Sequence, residues 1–203
     1  MSDYTLEEFD SNGFTVEIWQ DVHYGDLDSP RDWDNLGTMI CSHHKYTLGD
    51  EQFKASDYSS WDDVEKQLLI DNPDVLFWRP LFLYDHSGIS MSSTPYACGW
   101  DSGQVGFIYL THKNAEQFNT TEEMAKCLIQ EVETYSAWLE GDVVGFTVTD
   151  SEGNVVDSCG GFIGDYEYCK HEAVESTRYH KEQAEREKEL EYEFACRDIK
   201  TVS

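Results

Sequence analysis

Four aspartates fall within nine residues, Asp26-Leu-Asp28-Ser-Pro-Arg-Asp32-Trp-Asp34. Carboxylates at that density supply oxygen ligands of the kind that hold calcium or magnesium. The spacing departs from an EF-hand loop. Arg31 takes the sixth position, where glycine is needed, and Gly37 takes the twelfth, where glutamate is needed. The other account of these residues is a solvated loop whose aspartates cap turns. Two Cys-x-His pairs, Cys41/His43 and Cys169/His171, are the zinc-like feature. On a strand the first pair shares a face; on a helix the second does not, and structural zinc sites show tighter, repeated spacing. Cys98 or Cys159 beside glycines, with His86 or His112, would supply a nucleophile and a base. No GxSxG elbow, GxxxxGK[ST] loop or GxGxxG accompanies them. No stretch names a reaction, and the expectation is a protein that is not an enzyme and needs no cofactor.

The outstanding quantity is charge. The 203 residues carry 41 acids against 14 bases, a formal net charge of −27. Such a field repels nucleic acid and anionic membrane, and attracts cations or a strongly basic protein surface. Halophilic adaptation and plain solubility are two other sources of acidity. Against the first stand 10 Phe, 12 Tyr, 6 Trp and 6 Cys, with Lys outnumbering Arg nine to five. Against the second stands the self-repulsion that such a charge imposes on a compact state. No run of 18 apolar residues is present, so no transmembrane helix is expected. The acidic start, Met1-Ser-Asp-Tyr-Thr-Leu-Glu-Glu, has no secretory pattern. Together these point to a cytosolic protein with reduced thiols.

Any site needs a scaffold, and its centre is Cys98-Gly-Trp-Asp-Ser-Gly-Gln-Val-Gly-Phe-Ile-Tyr-Leu-Thr111. A nearly continuous apolar run bounded by glycines predicts a strand covered on both faces, with Trp100 as a packing anchor. Residues 1–13 read as a short helical or irregular lead, with Leu6 and Phe9 as its apolar pair. Phe14–Gln20 alternates as a half-buried strand, and Leu36–Cys41 is a short one. Ser60 caps a helix to Ile70, with Asp63 three residues on. Val75–Tyr84 and Ile89–Ser92 form a hairpin, and Pro80 marks an edge or bulge. Thr120–Glu140 is a helix with capping-box spacing at Glu123 and Gly141 as its stop. Residues 142–149 and 154–160 form a second hairpin, and Tyr166–Cys196 is a long charged helix with a mostly solvated face. The fold class is therefore α+β: a mainly antiparallel sheet of about five to seven strands, the packed 120–140 helix and the C-terminal helix. Residues 1–164 are expected as one globular domain, and 165–203 as the charged helix with a short tail.

The acidity is distributed. Residues 50–74 carry eight acids and two bases, 116–142 seven and one, and 150–175 seven and one. On helices, carboxylates opposite the apolar stripe point to solvent. Asp62, Asp63, Glu65, Glu122, Glu123, Glu133 and Glu140 are therefore the expected partner-binding residues. Spaced carboxylates on a rigid scaffold imitate the phosphates of duplex DNA, which carries one charge per roughly 1.7 Å of axis.

Ser29-Pro-Arg-Asp-Trp-Asp-Asn-Leu-Gly-Thr-Met-Ile-Cys41 and Cys98-Gly-Trp-Asp-Ser-Gly-Gln-Val-Gly-Phe-Ile-Tyr109 resemble segments of small uncharacterised acidic proteins of phages and mobile elements. In size and charge the chain is similar to DNA-mimic inhibitors of restriction or CRISPR systems. That second likeness is compositional and transfers no functional residue. It implies a non-enzymatic inhibitor in the host cytosol that occludes the basic nucleic-acid-binding surface of a defence protein. One alternative is a divalent-metal protein or metal-dependent enzyme using Asp26, Asp28, Asp32 and Asp34. The other is an acidic interaction module without mimicry, with the terminal helix as its contact. The sequence sets neither the partner nor the oligomeric state.

Overall fold

The structure is a computed structural model and describes residues 4–26 and 28–201, of which 194–201 as backbone alone. In chain order it has β1 (Thr5–Ser11), β2 (Phe14–Gln20), β3 (Thr38–Cys41), β4 (Glu51–Gln52), α1 (Trp61–Asp71), β5 (Val75–Asp85) and β6 (Ile89–Ser92). There follow β7 (Ser102–Thr111), α2 (His112–Ala115), α3 (Thr121–Glu140), β8 (Val143–Thr149), β9 (Val155–Ile163) and α4 (Tyr166–Thr201). The class is α+β. The strands form two sheets rather than one, of four and five strands, and every pairing is antiparallel except β3–β4. The chain divides into two compact units: residues 1–24 with 143–203, and residues 25–142.

In the first unit the order is β1-β2-β8-β9. The lead is a strand, not a helix. Asn12 and Gly13 both sit at positive φ (54° and 91°), the geometry of a tight hairpin that matches strand twist. That turn pairs β1 with β2. Leu6, expected inside, is exposed, while Glu7 and Phe9 are half-buried. Glu7 takes Lys170 Nζ at 2.6 and 2.8 Å and the Tyr166 hydroxyl. Val16 and Ile18 of β2 pack with Val144, Phe146 and Val148 of β8. The Trp19 ring lies over Gly145, where any Cβ would collide with it. α4, expected as an appendage, contributes its first turns to this core. Cys169, Ala173 and Thr177 recur every fourth residue and are fully buried. Small side chains carry that face, which is why the apolar pattern misses it. From Ala184 to Glu193 the helix is exposed.

In the second unit the order is β4-β3-β7-β5-β6. β7 is central, as expected: Val105 to Leu110 are all buried. Its two faces serve two cores. On one, Val105, Ile108 and Leu110 pack with Leu128, Val132 and Tyr135 of α3. On the other, Phe107 and Tyr109 pack with Val64 and Leu68 of α1. Both helices begin as the sequence predicts. Ser60 Oγ accepts from Asp63 N–H, and Thr120 and Glu123 close a reciprocal capping box. Gly141 ends α3 at φ 74°. Gly106 allows β3 to lie against β7, since a Cβ there would strike the Ile40 carbonyl. Pro80 pairs towards β7, and the pairing of β5 with β6 begins only at Phe82, so among the described residues β5 is an edge at Pro80.

Candidate functional site

The Asp26–Asp34 loop is organised around its own cation. Ser29 Oγ accepts from Arg31 N–H and Pro30 opens a single 3-10 turn, which aims the Arg31 side chain inward. The Arg31 side chain is only 5% exposed. It donates to Asp50 from Nε at 2.9 Å and from Nη2 at 2.6 Å, to Glu131 Oε2 at 3.0 Å, and to the Gly37 carbonyl at 2.6 Å. The acceptors are themselves satisfied. Asp50 also takes Met39 N–H at 2.6 Å, and Glu131 takes Leu36 N–H at 2.9 Å and Gly37 N–H at 3.1 Å. Burial opposes the Arg31 charge; the bonds and charges of Asp50, then Glu131, more than offset it and hold its pKa above the ordinary value. This triad, with the Arg31 side chain buried between two carboxylates, ties the loop to β3 and α3.

The four aspartates of the metal alternative do not meet the cation that organises their loop. Asp26, Asp28, Asp32 and Asp34 are all exposed, while the carboxylates that converge come from Asp50 and Glu131 and meet a guanidinium. Among the described residues no three His, Cys, Asp or Glu side chains gather as a metal site. The exposed aspartates instead flank Trp33, an indole 52% exposed between Asp32 and Asp34.

The seven helix carboxylates divide by task. Glu123 Oε2 is engaged by the amides of Asn119 (2.7 Å) and Thr120 (3.3 Å), and Glu140 accepts from Ser136 Oγ at 2.8 Å. Those two secure the ends of α3. Asp63 meets Lys66 at 3.5 Å, and Glu65 is half-buried. Asp62, Glu122 and Glu133 remain on the surface. Eleven residues of helix put Glu122 and Glu133 on one face, about 16 Å apart. That spacing is far wider than duplex phosphates. The dense acidic element of this unit is therefore the Asp26–Asp34 loop rather than α1 or α3.

The third feature lies at the start of β7. Trp100, expected to anchor packing, is 97% exposed. With His43, His44, Asp85, Asp101 and Gln104 it lines an open cleft of about 380 Å³. Asp101 lies 3.4 Å from His86 Nδ1, and Asp85 takes Lys45 Nζ at 3.1 Å and the Tyr46 hydroxyl at 3.3 Å. Lys45 holds the Asp85 carboxyl below its usual range, and burial, then His44, holds His43 below its ordinary value. Cys98 is exposed and Cys41 buried, the latter with its thiol pushed up to about 12 by burial. The buried thiol is unsuited to nucleophilic work.

Sequence reasoning missed the Arg31–Asp50–Glu131 triad and the exposed indoles Trp33 and Trp100. The Ser-Pro-Arg pattern is the signal that an N-capped turn would begin at Pro30. Nothing in the spacing tells that Arg31 turns in while its neighbours stay in solvent. No protein-family model matches the chain, and no curated protein and no solved structure matches it.

Proposed function

We propose that the protein is a non-enzymatic, acidic inhibitor of phage or plasmid type. It would occupy the basic nucleic-acid-binding surface of a host defence protein, such as a restriction enzyme or a CRISPR effector. The observation that carries this reading is the exposed Asp28, Asp32 and Asp34 around Trp33, on a loop fixed from beneath by buried Arg31. Carboxylates pair with Lys and Arg through charge-assisted bonds, and an exposed indole adds a cation–π surface. A rigid loop loses little freedom on binding. The helix carboxylates Asp62, Glu122 and Glu133 extend the same field and steer encounter.

The acids are spread evenly: residues 25–142 carry 21 acids and 7 bases, and the rest 20 and 7. Long-range attraction is thus general, while the loop supplies the local contact. The test is displacement of labelled duplex DNA from purified restriction endonucleases and CRISPR effectors. The reading requires displacement by the wild-type chain and its loss on Asp28→Lys/Asp32→Lys/Asp34→Lys. Displacement unchanged by that variant, or binding that is insensitive to salt, would defeat it.

A further inference from the structure

A separate site lies at the open edge of β7. β7 has ten residues and β3 only four, so β3 covers Gly106–Tyr109 and no more. The last contact on that side is Ser42 N–H to the Val105 carbonyl at 2.7 Å. Beyond it the chain leaves the ladder through His43, which stacks on Tyr46 with ring centroids 4.9 Å apart, and Lys45 and Tyr46 reach Asp85 of β5. On the opposite side β5 continues to the end, with Asp85 N–H donating to the Asp101 carbonyl at 2.8 Å. Among the described residues, 102–104 are therefore paired to a strand on one side only. Backbone groups alternate in direction along an antiparallel strand. Because the Asp101 carbonyl faces β5, Ser102 directs its N–H and C=O to the unpaired side.

The cleft borders that side: Ser42, His43 and His44 line it with residues 100–105, and Leu83 and Asp85 of β5 complete it. Its volume of about 380 Å³ falls within the roughly 300–1,000 Å³ range of ligand pockets. Gly103 opens it further, since a Cβ there would meet nothing within 4 Å. An unpaired strand edge is a template for another strand, and proteins ordinarily protect it. Here Trp100 stands beside it at 97% exposure, with Asp85 and Asp101 in the same lining. The basic groups facing these carboxylates are Lys45, itself 55% exposed, and the imidazoles of His43, His44 and His86. An indole face with carboxylates beside a strand edge matches an extended segment bearing a guanidinium or ammonium.

We infer that the Ser102–Gln104 edge takes an extended basic peptide of a partner protein as an added strand, with an Arg or Lys side chain over Trp100 and against Asp101. This goes beyond the loop-centred reading and uses none of the Asp26–Asp34 residues. The experiment measures fluorescence anisotropy of labelled octapeptides with the full chain. The probes are an alternating Arg-Thr peptide, its Glu-Thr counterpart, and the Arg-Thr peptide N-methylated at alternate amides. The Arg-Thr peptide should bind at least tenfold more tightly than either control.

Ser102→Pro removes the outward amide at the first residue of the strand, where proline is tolerated. It should weaken binding at least tenfold, while Ser102→Ala retains it. If Ser102→Pro fails to fold, Trp100→Ala serves instead, because that side chain is almost fully exposed; it should lose at least fivefold. Equal affinity for the N-methylated peptide would overturn the inference. So would an unchanged affinity in Trp100→Ala, or self-association through this edge, seen by light scattering, without peptide uptake. Asp28→Lys/Asp32→Lys/Asp34→Lys should still bind the peptide, since only attraction between distant charges changes, so failure of one site is distinguishable from failure of the other.

Discussion

Removing Glu131 should destabilise the protein far more than removing any surface carboxylate. The Glu131 side chain is 13% exposed and accepts from the Arg31 guanidinium and from the Leu36 and Gly37 amides. In Glu131→Ala these donors lose their acceptor. An orphaned buried donor costs about 1–3 kcal/mol, and breaking a buried ion pair by deleting one partner costs about 3–5 kcal/mol. The two descriptions overlap, and Asp50 still holds two guanidinium N–H groups. The net loss is therefore about 3–4 kcal/mol, a large share of the roughly 5–15 kcal/mol of a whole domain. Urea and thermal denaturation followed by circular dichroism measure it, with Glu133→Ala as the exposed control on the same helix. The control should change by less than about 0.5 kcal/mol. In a double-mutant cycle, Arg31→Met and Glu131→Ala should couple by about 1–3 kcal/mol. A loss under about 1 kcal/mol for Glu131→Ala, or strict additivity in the cycle, would refute the claim that this triad fixes the loop.

Gly106→Ala should cost about 3 kcal/mol or prevent folding, because its methyl group would strike the Ile40 carbonyl and force β3 off β7; denaturant midpoints read it. Glu7 should titrate below its ordinary value of 4.5, held there first by the Lys170 hydrogen bond and then by Tyr166, as carboxyl NMR would show. A depressed carboxyl stabilises the fold above its unfolded pKa and loses that contribution as pH falls through the folded one. Stability should therefore drop on acidification below about pH 4.5, with a shallower drop in Glu7→Gln. Trp33→Ala should leave the denaturation midpoint within about 0.5 kcal/mol of wild type while weakening capture of a basic partner, since the indole is half in solvent.

The elements were legible wherever local chemistry decides them. Ser60 and Thr120 announce helices because a hydroxyl at the N-cap answers an orphaned amide. Phe14, Val16 and Ile18 announce a strand because the side-chain period is two. What was not legible depends on distant partners. Leu6 faces out because it alternates with half-buried Glu7 and Phe9 and has no partner at the irregularity between Thr5 and Glu7, and Glu7 reaches a lysine 163 residues away. α4 enters the core through Cys169, Ala173 and Thr177, which a search for large apolar residues passes over. The size of Trp100 suggests packing, yet its side chain stands in solvent. The site shows the same split. Local sequence marks Asp26–Asp34 as an acidic loop, but only its contacts with Asp50 and Glu131 separate the one buried charge from the exposed ones.

The most direct test of the functional account is the salt dependence of binding to a captured defence protein, compared between wild type and Asp28→Lys/Asp32→Lys/Asp34→Lys. The account predicts wild-type affinity that falls steeply as salt rises, and a loop variant that binds at least tenfold more weakly at every salt concentration. A flat salt response in the wild type, or equal affinity in the two proteins, would contradict it.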